Sequence, residues 1–318
     1  MADAVSISAS VSMTNLPADV SPVAVYLARL APGSRRTMAE ALSTIAGLLT
    51  GTRADAASVD WSALRYQHAQ AVRAALAGRY APATANKMLS ALRGVLQETW
   101  RLGLLSSDDY HRAADLQPVR GETLPAGRAV ARTELEALFG SCADEGGATG
   151  ARDAAILAVL YGAGIRRAEA CSLDVADYRR ADGTLRIRSG KGAKAREVYA
   201  TNGGRSALEA WLQARGATPG ALFLAVNRGG NVQPHGLTPG AVGQLLQRRA
   251  AKAGVAAFSP HDLRRTFISD LLDAGADITA VAHLAGHANV QTTARYDRRG
   301  ERAKRRAAEL LHVPFVAR

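Results

Sequence analysis

The stretch TLRIRSGKGAKAREVY, residues 184–199, decides how the fold is read. Here Leu185 and Ile187 alternate with arginines, then Val198 and Tyr199 follow beyond Gly190-Lys191-Gly192. Period-two alternation on both sides of a glycine-rich turn predicts a β-hairpin. On both sides of this stretch the chain repeats its apolar residues at spacings of three and four, the period of a buried helix face. The expectation is therefore a mainly α protein, in which a small antiparallel sheet sits inside a mixed, mostly helical domain.

Working back toward the N-terminus, Thr133 with Glu136 predicts a capping box that opens a helix through Leu138 and Phe139, and residues 153–161 form another. Residues 116–132 differ in character. Pro118, Gly121, Pro125 and Gly127 interrupt helix, and Arg120, Arg128 and Arg132 add charge, so this reads as a basic interdomain linker. Before it lie four apolar stripes: Val25 to Leu30, Met38 to Leu49, Trp61 to Leu76, and one from Thr84 past Trp100 that opens at Pro82. They predict a helical bundle over residues 21–115. Residues 1–20, small and polar, are expected to be a flexible N-terminus. Residues 133–318 form the second domain, with helices at 206–214, 239–253, 261–273 and 277–285. Arg228-Gly229-Gly230 lacks the strand–helix context of a phosphate loop and reads as a turn.

At 318 residues the chain suits two domains rather than one core. Its formal net charge of +12 points first to a polyanionic partner, nucleic acid ahead of an anionic membrane. The two cysteines, Cys142 and Cys171, sit in no ligand or disulfide pattern, which fits a reducing compartment. Residues 1–13 carry no basic residue, unlike a secretory leader. The apolar run from Ala154 to Ile165 is too short to span a bilayer, which takes about 20 residues. The expectation is a cytoplasmic protein with no membrane association.

Four segments carry residues suited to chemistry. In Gly164-Ile165-Arg166-Arg167-Ala168-Glu169 an arginine follows a tight turn, and Glu169 lies one helical step on, able to pair with it. In Ser259-Pro260-His261-Asp262-Leu263-Arg264-Arg265, Ser259 is a good N-cap and Pro260 suits the first helical position. His261 and Arg264 then share a face at a helix start, a setting that favours anions. Arg265 is rotated away and reads as structural or solvated. Asp277 caps a helix that Gly286 ends, which presents His287 at its tip. His283, within that helix, reads as a surface or packing residue. Tyr296 follows a further turn opened by Asn289. Taken singly, each has a plainer reading: a surface arginine, a capping histidine, a packing tyrosine.

Taken in order, Arg166, Lys191, His261, Arg264, His287 and Tyr296 closely resemble the tyrosine recombinase (phage integrase) family. The motifs are Gly-Ile-Arg-Arg-Ala-Glu, Gly-Lys-Gly in a hairpin, His-Asp-Leu-Arg, and Leu-Ala-Gly-His followed by Tyr296. They cover residues 133–300. Residues 20–115 resemble the family's SAM-like core-binding domain in architecture alone. Ala170 stands where the family usually has leucine, and Arg167 where a hydrophobic residue is frequent.

The resemblance implies cleavage and rejoining of duplex DNA through a 3′-phosphotyrosine on Tyr296, with no metal, cofactor or ATP. It implies Arg166, Arg264 and His287 as donors to the phosphate, His261 as base, Lys191 as acid with Lys194 second, and Glu169 as the group orienting Arg166. It also implies inverted-repeat core sites on double-stranded DNA and a homotetramer on two such sites. A terminal helix would dock into a neighbouring protomer, and the tail holds Arg298, Arg299, Arg302, Lys304, Arg305 and Arg306, then Leu310, Leu311, Val313 and Phe315. The helix from Thr84, with Lys87, Arg93 and Arg101, is the candidate for a groove-facing helix; its plainer reading is an amphipathic helix with a solvated face. The alternatives are a type IB topoisomerase, which shares the chemistry, and a DNA-binding regulator without catalysis.

Overall fold

The computed structural model describes residues 20–52, 54–121, 127–188, 195–297 and 308–309. The expectations for residues 1–19, for Lys191 and Lys194, and for most of the tail after Tyr296 lie outside them. The chain divides into two compact units, residues 1–126 and 127–318.

In the first unit the described elements are five helices: α1 (Pro22–Ala28), α2 (Pro32–Thr50), α3 (Tyr66–Arg79), α4 (Pro82–Arg101) and α5 (Ser107–Ala114). Three of them open on proline at the first turn, where the missing N–H costs nothing. The apolar stripes meet in one core, in which Leu42, Ile45, Leu49, Leu76, Leu89, Leu92 and Leu96 are fully buried. Burial of such a side chain contributes about 1.5–3 kcal/mol.

The stripe expected to run as helix from Trp61 behaves differently. Asp60 accepts from the Ser62 N–H at 3.0 Å and closes a single 3₁₀ turn at Trp61–Ala63. Trp61 is buried and donates its indole N–H to the Ala56 carbonyl. The chain then extends, and α3 starts only at Tyr66. Helix α5, not foreseen, is short and starts on Ser106, which accepts from the Asp109 N–H at 3.1 Å.

The second unit holds α6 (Arg132–Glu145), α7 (Gly147–Gly162), α8 (Arg167–Ser172), β1 (Tyr178–Arg179), β2 (Thr184–Ile187), β3 (Arg196–Tyr199), α9 (Asn202–Arg215), β4 (Leu224–Val226), β5 (Val232–Gly236), α10 (Pro239–Lys252), α11 (Pro260–Asp273), α12 (Ile278–Ala285) and α13 (Val290–Ala294). The expected hairpin pairs antiparallel with Leu185 opposite Val198, and the short β1 adds a third strand. Val198 points into the core, whereas Tyr199 is exposed. The glycine turn at 228–230 joins a second antiparallel pair, β4–β5. Helix α7, lined by Ile156, Leu157, Val159 and Leu160, is central to the main core, to which α9 adds Trp211.

The start of α6 differs from expectation. Its N-cap is Ala131, whose N–H is taken by Glu134 at 2.8 Å, so Glu134 performs the capping expected of Glu136. The reason lies just upstream. Val130 is buried and donates its N–H to the Thr266 hydroxyl, and the Arg128 N–H binds Asp262. Those two bonds fix where the extended chain ends. Residues 127–131, at the end of the stretch read as linker, are thus fastened along α11.

Candidate active site

The site is organised by the C-terminal end of α12. A helix end leaves carbonyls without intrahelical partners, and they carry partial negative charge. Here three successive carbonyls each receive one guanidinium. Arg196 donates to Leu284 at 3.0 Å, Arg264 donates to Ala285, and Arg166 donates to Gly286 at 2.9 Å. Gly286 lies in the left-handed region at φ +62, which a side chain adopts only with strain. His287 follows directly.

Arg166 caps α8. Its backbone N–H and its guanidinium both donate to Glu169, each at 2.8 Å. The side chain keeps 30% of its surface exposed, so it still reaches solvent. Glu169 is buried, and Arg196 reaches it from β3 with two further donors, at 3.0 and 2.7 Å. Burial alone would raise its carboxyl. The hydrogen bonds from Arg196 and Arg166 outweigh that and hold it down at about 2.

Arg264 projects from the second turn of α11 and is buried. Besides Ala285 it donates to the carbonyl of Gly164. Gly164 has φ +60, and a Cβ there would stand 2.2 Å from the Phe267 ring, so the turn before Arg166 and helix α11 interlock at a position only glycine fits. Burial and the nearby charge of Arg166 lower the Arg264 guanidinium to about 10, which leaves it cationic at neutral pH.

The two histidines face the same charges. His287 is half-buried, and its Nδ1 lies 2.8 Å from the buried Thr293 hydroxyl. Burial, then Arg264 and Arg166, push its pKa down to about 4. His261, at the start of α11, is lowered by desolvation and then by Arg264 and Arg265. Both are neutral near pH 7.

Tyr296 sits just past α13, whose N-cap Asn289 accepts from the Gln291 N–H at 2.8 Å. Its phenol oxygen is 3.5 Å from His261 Nε2, and its ring lies 6.2 Å from that of His287, centre to centre. Of the two readings of Arg265, structural or solvated, the structural one holds. It is buried, with its guanidinium 5.6 Å over the Tyr296 ring, a cation–π contact. His283 is exposed.

Five of the six residues expected from sequence are thus brought together, and Lys191 lies outside the described residues. Arg196, Thr293 and Arg265 were not singled out for the site. Strand alternation puts Arg196 on a definite face of β3, but nothing local shows that its partner is Glu169. The expected DNA-facing residues of α4 separate. Lys87 is exposed. Arg93 donates to the carbonyls of Ala114 and Leu116, closing the end of α5. Arg101 pairs with the buried Glu98 at 3.1 Å. Among the described residues no group of three or more His, Cys, Asp or Glu could hold a metal ion, and no helix is long and apolar enough to cross a membrane.

A tyrosine set among two arginines and two histidines, on a helical domain with a small sheet, defines a class. Residues 128–302 match the phage integrase family, and the chain belongs to it: it is a tyrosine recombinase, an enzyme of site-specific DNA recombination. It is similar to tyrosine recombinase XerC of Pseudomonas aeruginosa, 36% identical over 241 residues that cover 69% of this chain and 74% of that one. XerC of Corynebacterium efficiens is 34% identical over 203 residues, and the chain spans 62% of its length. In fold it resembles the Tn1549 transposon integrase solved with a circular intermediate DNA, at a TM-score of 0.68 and 16% identity, covering 94% of this chain and all of that one.

Proposed function

We propose that this chain cuts duplex DNA by attack of Tyr296 on a phosphodiester and reseals it by the reverse reaction. The observation that carries this reading is the 3.5 Å approach of the Tyr296 phenol to a neutral His261 beside Arg264. The distance is at the outer edge of a hydrogen bond, and such contacts commonly tighten once substrate binds. In the forward step the Tyr296 oxygen bonds to phosphorus, the bond from phosphorus to the 5′ oxygen breaks, and the phenol proton passes to His261. Lys191 supplies the proton to the departing 5′ oxygen. A free phenol has a pKa of about 10, so an acceptor at hand and surrounding positive charge both favour attack.

Arg166 and Arg264 offer forked donors to the non-bridging oxygens, and Glu169 orients Arg166. Fixed donors aimed at charge that grows in the transition state each contribute a few kcal/mol. His287 adds a third donor. This role requires the tautomer in which the Thr293 hydroxyl donates to Nδ1 and the ring hydrogen lies on Nε2, free to face the phosphate. The product is a 3′-phosphotyrosine with a free 5′ hydroxyl, and attack by another 5′ hydroxyl restores the backbone without ATP.

The substrate in this reading is double-stranded DNA with inverted-repeat core sites, with a homotetramer holding two sites in the cytoplasm. Lys87 on the exposed side of α4 would meet phosphate. A groove lined by Leu135, Phe139 and Tyr161, with Glu136, Asp270 and Asp273 and the single basic residue Arg132 around them, would seat the terminal segment of a second copy. That segment is basic from Arg298 to Arg306 and apolar from Leu310 to Phe315, the complement of such a groove.

The test is a covalent trap on duplexes nicked near the centre, drawn from inverted repeats that flank the encoding locus. The expected outcome is a denaturation-resistant protein–DNA band that forms without metal or ATP and is absent from Tyr296→Phe. Salt-sensitive binding with no band on any duplex would overturn the catalytic reading. Relaxation of any plasmid without strand exchange would replace it with a topoisomerase.

A further inference from the structure

Arg196 makes more contacts within the site than its place on a strand would suggest. It leaves 12% of its side chain exposed and donates twice to Glu169 and once to the Leu284 carbonyl. Its guanidinium carbon also lies against Gly286, where an added Cβ would stand only 2.9 Å away. Each oxygen of Glu169 therefore receives one donor from Arg166 and one from Arg196.

We propose that Arg196 is a positioning residue of the recombination reaction, aiming Arg166 through Glu169 and fixing the α12 end that presents His287. The proposal rests on the function proposed above. A buried carboxylate takes all the donors it can find, because leaving it short of partners is costly. With Arg196 in place, Glu169 is satisfied by one Arg166 nitrogen and the Arg166 backbone, and the other terminal nitrogen of Arg166 is held on Gly286. Without Arg196, Glu169 lacks two donors and draws the whole Arg166 fork toward itself, away from the phosphate. The Leu284 carbonyl loses its donor at the same time, loosening the turn into His287. Arg196 lies five residues beyond Lys191 in sequence, so the strand leaving the hairpin is anchored to the same turn.

Single-turnover cleavage of a nicked duplex by the full chain tests this. Wild type must first form an adduct that Tyr296→Phe does not. Without it the catalytic reading falls, and this proposal with it. Given the adduct, Arg196→Gln is expected to slow cleavage roughly 10- to 100-fold, the range for losing a hydrogen bond between charged groups. DNA affinity should stay at the wild-type value. Two comparisons separate positioning from a merely structural effect. On a duplex whose scissile phosphate is a neutral methylphosphonate, the charge that Arg166 offsets is absent, so the defect should shrink. The double variant Arg196→Gln/Glu169→Gln should cleave within about twofold of Glu169→Gln alone, since residues acting through one another are not additive. Arg196→Lys, which keeps the charge but loses the fork, should fall between and carries the same comparisons if Arg196→Gln does not fold. Unchanged cleavage, an equal loss on both substrates, or multiplying losses in the double variant would overturn the proposal.

Discussion

The Thr293 hydroxyl lies 2.8 Å from His287 Nδ1, although the two belong to different segments, one in α13 and one at the tip of α12. Thr293 is fully buried, so its hydroxyl has few other partners to turn to. The contact couples the Thr293 hydroxyl to the tautomer of His287: when the hydroxyl donates to Nδ1, the ring hydrogen is on Nε2, where it can donate to a phosphate. It also ties the turn before Tyr296 to the turn after Gly286.

Thr293→Val keeps the shape and removes the hydroxyl. Loss of one neutral hydrogen bond is about 0.5–1.5 kcal/mol, so single-turnover cleavage should fall roughly 2- to 10-fold. Thr293→Ser should restore it. Cleavage by the valine variant at the wild-type rate would remove Thr293 from the tautomer argument.

The pH dependence follows from the histidines. Their ordinary value is 6.5; His287 is pushed down to about 4 and His261 is lowered too. A depressed histidine pKa means that the folded chain holds its proton less tightly than the unfolded one. The stability this supplies is therefore fully present above 6.5 and is lost as pH falls through the folded value. The same shift keeps His261 free to accept the Tyr296 proton. A pH–rate profile of adduct formation by the free enzyme should show its acid limb below 6.5. An acid limb at or above 6.5 would contradict a base of lowered pKa.

How much of this was legible in the sequence depends on the distance over which the signal acts. Arg166, His261, Arg264, His287 and Tyr296 each sit at a helix start or end marked by Gly, Ser-Pro or Asn, so local punctuation located them. Arg196 carries no such mark. It is one of several arginines on alternating strands, and its partners are Glu169 and the Leu284 carbonyl, which only the tertiary fold brings near. The start of α6 shows a different difficulty. Thr133 with Glu136 and Ala131 with Glu134 share the same spacing, and the choice is made by Val130 binding Thr266. Strand β1 and helix α5 were missed because two and eight residues hold too little period to read.

Arg249 offers a test of stability apart from the site. It joins α10 to α7 through Asp153 at 2.7 Å and to α6 through the Ser141 carbonyl at 3.0 Å, and both ionic partners are buried. Asp153 also pairs with the buried Arg152 at 2.7 Å, and Arg249 keeps Glu145 at 3.3 Å, so removing Asp153 leaves Arg152 buried without that partner, which costs about 3–5 kcal/mol. Asp153→Ala should therefore lower the unfolding free energy by that amount, read as a lower urea midpoint with no change in the denaturant slope. A loss under about 1 kcal/mol, the range of exposed pairs, would mean that Arg152 finds another partner or water.

Gly164 and Gly286 both sit at positive φ beside an active-site arginine, yet alanine should affect them differently. At Gly286 the new Cβ meets the Arg196 guanidinium at 2.9 Å, the end of a flexible side chain that can shift. The left-handed backbone adds about 1–2 kcal/mol. Gly286→Ala should thus fold, with a modest loss of thermal stability and a larger loss of cleavage, because displacing Arg196 disturbs Glu169. At Gly164 the Cβ would enter the Phe267 ring at 2.2 Å, inside the small core of Phe267, Ile268 and Leu272. Overpacking there costs a further 1–3 kcal/mol or so, and the carbonyl that receives Arg264 moves with it. Gly164→Ala should therefore lose more stability than Gly286→Ala in thermal melts. The reverse order would mean that the turn before Arg166 yields more easily than the end of α12, and that Arg264 rather than Arg196 is the more loosely held of the two.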